Sequence, residues 1–193
     1  METELSERQK EIINASLELI AEKGIQSLTI KNLSKKIGLV ESAIYRHYES
    51  KTHILIAMLD AIVEQMQYSN RKEVANLFEF IEEKLENHFL LFQENPAMVS
   101  VVFAEDLFQN EPELVEKTRN KVINSIATMS DLLQKGQQRG EIRSDIDAEI
   151  ISIMINGGVR MLVKQWRMSE FSFDLVSRGK ELTESYKSML SKG

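Results

Sequence analysis

Apolar residues along this chain return every three or four positions rather than every second one, the period of a helix with one face in a core. Ile12, Ile13, Ala15, Leu17, Leu19 and Ile20 make one broad stripe. Ahead of it, Ser6-Glu7-Arg8-Gln9 has the form of a capping box, with Ser6 and Gln9 each satisfying a backbone donor of the first turn. Gly24 follows the last turn, where a residue of positive φ closes helices. A second stripe, Val74, Leu77, Phe78, Ile81, Leu85, Phe89 and Phe92, starts from Arg71 and runs to Asn95-Pro96, which predict the cap and first position of another helix. Pro112 opens a helix carrying Val115, Val122, Ile126, Met129 and Leu133, with Gly136 and Gly140 expected to end it. Asp145 and Asp147 suit the cap of a helix over residues 148–168. Leu175, Leu182, Tyr186 and Met189 mark a last helix over 174–190, weakened by Gly179 in its interior. Only eight glycines and two prolines punctuate the chain, too few for the frequent turns of a sheet protein. The predicted fold is all-α.

Residues 28–53 read differently from the rest. Thr29 can cap a short helix that turns Ile30, Leu33 and Ile37 inward and Lys31, Lys35 and Lys36 outward. Gly38 supplies the positive φ of a tight turn. A second short helix over residues 41–48 would bury Ile44 and expose Ser42, Ala43, Tyr45, Arg46 and His47. Helix-turn-helix DNA readers share this layout, with the second helix in the major groove and flanking groups on phosphates. Charge supports it once divided by segment. The whole chain carries a net −6, which as an average argues against nucleic acid. Residues 30–56, however, hold Lys31, Lys35, Lys36, Arg46 and Lys51 against Glu41 and Glu49. The acidic remainder would repel DNA from every other surface. Arg46 suits a guanine edge, and Tyr45, Tyr48 and Lys51 suit backbone phosphates. Either tyrosine has a second reading, packing against the first helix.

Other chemistry finds little footing. Without cysteine there is no disulfide, thiolate metal site or thiol nucleophile. Gly-rich phosphate loops, His-Glu-x-x-His and Gly-x-Ser-x-Gly are absent. The pairs Glu82-Glu83 and Glu105-Asp106 fall on helices, where a solvated face is the default. No cofactor and no metal are expected, and the chain does not read as an enzyme. The acidic, polar start is unlike a signal peptide. The apolar runs 98–104 and 150–155 fall far short of the ~20 residues that span a bilayer. A cytoplasmic protein without a membrane segment is expected.

Ile12-Ile13-Asn14-Ala15, Gly24, Thr29-Ile30, Leu33-Ser34, Gly38, Tyr45-Arg46-His47-Tyr48, Ser50-Lys51 and Leu55 occur in that order. As an ordered set they resemble the head of the TetR-type bacterial transcriptional regulators, over roughly the first 55 residues. The resemblance implies a three-helix DNA-binding domain over residues 1–50 and a larger helical effector-binding and dimerisation domain over 51–193. It also implies a homodimer on a near-palindromic double-stranded operator, a small-molecule effector, and phosphate contacts at Tyr45, Tyr48 and Lys51. With the layout above, the candidate DNA-binding set is Thr29, Lys31, Lys35, Ser42, Ala43, Tyr45, Arg46, His47, Tyr48 and Lys51. The chain departs from the family pattern at several places, with Ser16 and Ser34 standing for small Ala residues of the first two helices, and two departures bear on DNA contacts. Val40 stands where the family often has Ser to cap the recognition helix, leaving that work to Glu41 or Ser42. Ala43 stands where a Thr often offers a hydroxyl.

Past the head, large apolar side chains are interrupted by few polar ones, as in ligand pockets between helices. The candidates are Phe78, His88, Phe89, Phe92, Phe103, Asn124, Met129, Met154 and Asn156; an ordinary core would use the same residue types. His88 lacks metal-ligating company, since His47 and His53 lie in or beside the head. Residues 149–163 are apolar nearly all round, so both faces need cover. One face suits the core and the other a symmetry mate, giving a dimer through helices about 148–168 and 174–190, with Gly157-Gly158 permitting close approach. A central core helix is the alternative. The whole reads as a ligand-responsive repressor released by a small apolar or amphipathic inducer, with the signal carried by the helix over residues 53–70. A helical carrier of an apolar ligand without DNA binding is the other reading, and a carrier has no need of the basic head.

Overall fold

The computed structural model describes residues 5–68, 76–104 and 108–191. Among these residues all regular structure is helical: α1 Glu7–Lys23, a 3-10 turn Ile25–Ser27, α2 Ile30–Ile37, α3 Glu41–Tyr45, α4 Lys51–Tyr68, α5 Leu77–Glu94, α6 Pro96–Val102, α7 Pro112–Arg139, α8 Ala148–Met168 and α9 Leu175–Leu190. The expected helix start at Arg71 and Val74, the end of the linking helix at Asn70, and the Glu105-Asp106 pair lie outside the described residues. Among the described residues no helix is long and apolar enough to cross a membrane.

Caps set most boundaries. The capping box at α1 forms, with the Gln9 backbone donating to Ser6 Oγ at 3.3 Å and the Ser6 backbone donating to Gln9 Oε1 at 3.0 Å. Asp147 Oδ1 accepts from the Glu149 and Ile150 backbones at 2.8 and 3.3 Å and so opens α8; Asp174 does the same for α9 through Ser177. Proline stands at the first position of α6 and of α7. One expected stop is not a stop. α7 runs through Gly136 and closes at Gly140, whose φ is 73°. Gly136 is small for a packing reason, because a Cβ there would overlap the Leu77 side chain.

The chain forms two compact units, Met1–Glu64 with Asn95–Lys117, and Gln65–Glu94 with Thr118–Gly193. Both α4 and α7 contribute residues to each. In the first unit Ile12, Leu28, Leu33, Ile44, Ile54 and Met58 are fully buried, and α6 packs on α1. Thr52 Oγ1 donates to Glu111 Oε2 at 2.9 Å, and Lys117 pairs with Asp60 at 2.7 Å, fastening the start of α7 to α4. The unit that holds the helix-turn-helix thus takes in much more chain than residues 1–50.

In the second unit α9 packs on both α5 and α8. Phe89 of α5 is wholly buried against Gly179 of α9. The Tyr186 hydroxyl of α9 donates to the Met154 carbonyl of α8 at 3.1 Å. Gln93 Oε1 accepts from the Leu175 and Val176 backbones at 2.7 and 3.2 Å, joining the end of α5 to the start of α9. Between α7 and α8, Ser152 donates to the Ile126 carbonyl and Ser125 to Asn156 Oδ1, each at 2.8 Å.

Candidate nucleic-acid interface and effector region

Local chemistry builds the head from small parts. Thr29 Oγ1 accepts from the Asn32 backbone at 3.1 Å and caps α2. Lys36 reaches Glu22 at 2.8 Å and Glu18 at 3.1 Å, tying α2 to α1; these bonds raise the Lys36 pKa, and the bond from Lys36 lowers that of Glu22. Gly38 takes φ 68°, ψ 29°, the left-handed turn that a side chain would strain. α3 then starts at Glu41 with Val40 at its cap position and no side-chain cap bond. It ends as regular helix at Tyr45, shorter than the expected 41–48, although the Tyr48 backbone still donates to the Ile44 carbonyl at 3.1 Å.

Ile44 is wholly buried and acts as the pivot of α3. Around it Ser42, Tyr45, Arg46 and His47 are exposed and Ala43 is half-buried. Lys31, Lys35, Arg46 and Lys51 are exposed, and none takes part in an ion pair among the described residues. Lys36, the remaining cation of the segment, is the one committed to the fold. Lys51 opens α4, where backbone donors and the helix dipole favour an anion. Tyr48 sits apart from this surface. It is buried, its hydroxyl donates to the Gln9 carbonyl on α1 at 3.5 Å, and burial pushes its pKa up to about 12. A further residue joins the exposed face: Val40, 69% exposed at the head of α3. The sequence carried that signal as a missing cap, without showing that the side chain stands in solvent.

Of the candidate effector residues, Phe103 falls in the first unit and the other eight in the second. Phe89, Phe92 and Met129 are buried, while Asn124 and Met154 are exposed. Asn156 is half-buried and bonded to Ser125 and Ser152. Phe78 lines a cavity of about 80 Å³ among α5, α8 and α9, with Ile81, Ile155, Thr183, Tyr186 and Lys187 also on its wall. Ligand sites for drug-sized molecules are roughly 300–1,000 Å³, so this cavity alone does not hold a large effector. Two polar groups in this unit escaped the reading of the sequence. The Thr118 hydroxyl on α7 is buried without a hydrogen-bond partner among the described residues. Lys84, one turn before His88, is half-buried, and burial lowers its pKa.

His88 is half-buried too. Burial holds its imidazole down at about 4, the Lys84 charge acts in the same direction, and a hydrogen bond to the Met66 backbone opposes both. The unfolded chain binds this proton near the ordinary value of 6.5 and the folded chain only near 4. Stability is therefore full above pH 6.5 and is lost as pH falls towards 4, below which His88 adds no further loss. Urea midpoints should fall on acidification across that range, and should fall less in His88→Gln.

Comparison with known proteins agrees with this geometry. Residues 12–58 match the family described as bacterial regulatory proteins, tetR family, and residues 55–190 match the YsiA-like protein, C-terminal region. The fatty acid metabolism regulator protein of Bacillus subtilis (strain 168) is 27% identical over 178 residues, covering 90% of this chain and 91% of the relative. The crystal structure of the transcriptional regulator FadR from Bacillus subtilis in complex with stearoyl-CoA superposes with a TM-score of 0.78 at 25% identity, covering 93% of this chain and 97% of that one. A TetR transcription regulator from Haloarcula marismortui shares the fold with a TM-score of 0.84 at 18% identity, covering 97% of this chain and 100% of that one. These relatives are described as regulators, the two solved structures as regulators of transcription. A helix-turn-helix with an uncommitted basic face, joined to a C-terminal region of matching family, makes this chain a member of the tetR family of bacterial transcriptional regulators.

Proposed function

We propose that the chain represses transcription as a homodimer and leaves a near-palindromic operator when an amphipathic effector of the fatty acyl class binds its second unit. The observation that carries the DNA-binding half is the exposed row Tyr45, Arg46 and His47 around the buried Ile44, flanked by Lys31, Lys35 and Lys51, which are exposed and form no ion pair among the described residues. In this reading Arg46 takes a base edge, Val40 offers its methyls to a thymine methyl, and Lys51 takes a phosphate. Thr29, Ser42, Ala43 and His47 remain members of the proposed contact set, while the buried Tyr48, bonded to α1, supports the head from within and leaves the set.

Exposed apolar side chains support the dimer. Ile150, Met154, Met161 and Met168 are 50%, 43%, 64% and 75% exposed along one stripe of α8, with Gly157 between them. Met189 of α9 is 52% exposed. Apolar surface gathered in this way marks an interaction site. Two heads related by a two-fold axis then read half-sites one helical turn, or a multiple, apart. The effector class is supported by the stearoyl-CoA bound to the Bacillus subtilis relative. Release requires the effector to bind the DNA-free arrangement more tightly than the DNA-bound one. In this reading α4, whose residues belong to both units as those of α7 do, is one covalent route for that signal.

A gel-shift titration of the purified protein against the DNA upstream of its own gene tests this. Complex should form at low salt, weaken steeply as salt rises because phosphate contacts release counterions, and dissociate on addition of stearoyl-CoA. A folded dimer that shifts no upstream fragment at low salt removes the DNA-binding reading. A complex indifferent to stearoyl-CoA and to the free fatty acid removes the effector class alone.

A further inference from the structure

Lys84 and His88 lie one turn apart on α5, both half-buried, so an ammonium and an imidazole share one flank of the helix. On α5 the two follow Leu77 and Ile81 at helical spacing, along the edge of the face Leu77, Ile81, Leu85, Phe89 and Phe92 through which the helix packs its core. The Lys84 ammonium has no hydrogen bond or ion pair among the described residues. No carboxylate there acts on either group, and each influence on Lys84 follows from its withdrawal from water. Withdrawing a cation from water without a counter-charge costs stability. A Met would bury the same apolar stem without that cost. His88 is meanwhile anchored to the Met66 backbone, which fixes the ring beside the ammonium and leaves its other nitrogen uncommitted.

We infer that Lys84 and His88 receive the acidic group of an amphiphilic effector, a carboxylate or phosphate lying between the ammonium and the imidazole. This rests on the effector reading above and narrows it from amphipathic to anionic. The bound anion supplies the missing counter-charge, and the uncommitted imidazole nitrogen, once protonated, donates to the same anion. The carboxylate of a fatty acid and the phosphates of its coenzyme A thioester offer the same chemistry here.

Titration of the full-length protein with oleate, oleoyl-CoA and oleyl alcohol, which share one chain, tests the assignment. Wild type should prefer one or both anionic ligands over the alcohol. Lys84→Met should weaken the preferred anion by about tenfold to a hundredfold, the range for one hydrogen bond to a charged group, while Lys84→Arg keeps most of the affinity. Whichever of oleate and oleoyl-CoA loses affinity identifies the source of the anion. Without ligand, Lys84→Met should melt at a higher temperature than wild type. Unchanged anion binding in Lys84→Met, or a lower melting temperature of its ligand-free form, overturns the inference and leaves the effector reading standing. Failure of all three ligands to bind wild type overturns both.

Discussion

Arg46→Ala is expected to weaken operator binding by about 1–3 kcal/mol, roughly fivefold to 150-fold, and to relax preference at a single base pair of each half-site. Lys51→Ala should behave differently. It should weaken binding to all sequences by a similar factor and lower the slope of log affinity against log salt by about one per site. The difference follows from where the two side chains stand. Arg46 is exposed directly after α3, two residues from the buried Ile44 that fixes the helix, so its guanidinium is presented in a defined place. Lys51 opens α4, where an anion also meets the backbone donors of the first turn. Neither takes part in an ion pair among the described residues, so truncation should leave the melting temperature and the dimer intact. Binding across a panel of single-base operator variants, measured at several salt concentrations, separates the two effects. Equal loss at every base pair for Arg46→Ala would place that residue on the phosphate backbone.

The head was largely legible because its determinants are local. Ser6 with Gln9, Thr29 and Gly38 each fix a helix end through bonds or dihedral preferences that span only a few residues, and each sits as the pattern predicts. Tyr45 and Tyr48 show how far such reading reaches. Residue type alone leaves both open, but Tyr48 is one turn beyond Ile44 and so shares its inward direction, whereas Tyr45 turns out, 50% exposed. Gly136 could not be read this way. A glycine that closes a helix and one that admits a neighbour look alike in sequence, and the neighbour here, Leu77, is distant along the chain. The effector region was opaque for the same reason. Phe89 and Phe92 went into the core, Met154 stands exposed, and Asn156 is used to bond α7 to α8. An apolar stripe specifies burial and not whether protein or ligand provides it. Lys84 was hidden by its commonness, since lysines on helices are usually solvated and only its half-burial without a partner sets it apart.

Gly179→Ala is expected to destabilise the second unit by about 1–3 kcal/mol through overpacking, although helix propensity alone would make it stabilising by about 1 kcal/mol. The sign therefore decides between local preference and packing. A Cβ at Gly179 would stand 2.7 Å from Phe89 Cγ and closer still to two other ring carbons. That ring is wholly buried and cannot move aside. Phe89→Ala removes the opposing side and should cost about 3–5 kcal/mol. Phe89→Leu should lose less alone, and in combination with Gly179→Ala the two changes should sum to less than their separate costs, since each relieves the other. Gly157 provides the contrast within the same unit. It lies on the exposed stripe of α8, and a Cβ there meets no atom within 4 Å. Gly157→Ala should therefore stabilise the isolated protomer by up to about 1 kcal/mol, while weakening any dimer in which a partner helix approaches at that point. Urea unfolding at several protein concentrations reads both quantities. A midpoint that rises in Gly157→Ala but depends less on concentration would locate the dimer contact on the open stripe of α8, and a midpoint that falls in Gly179→Ala would place the α5–α9 seam at the centre of the unit's stability.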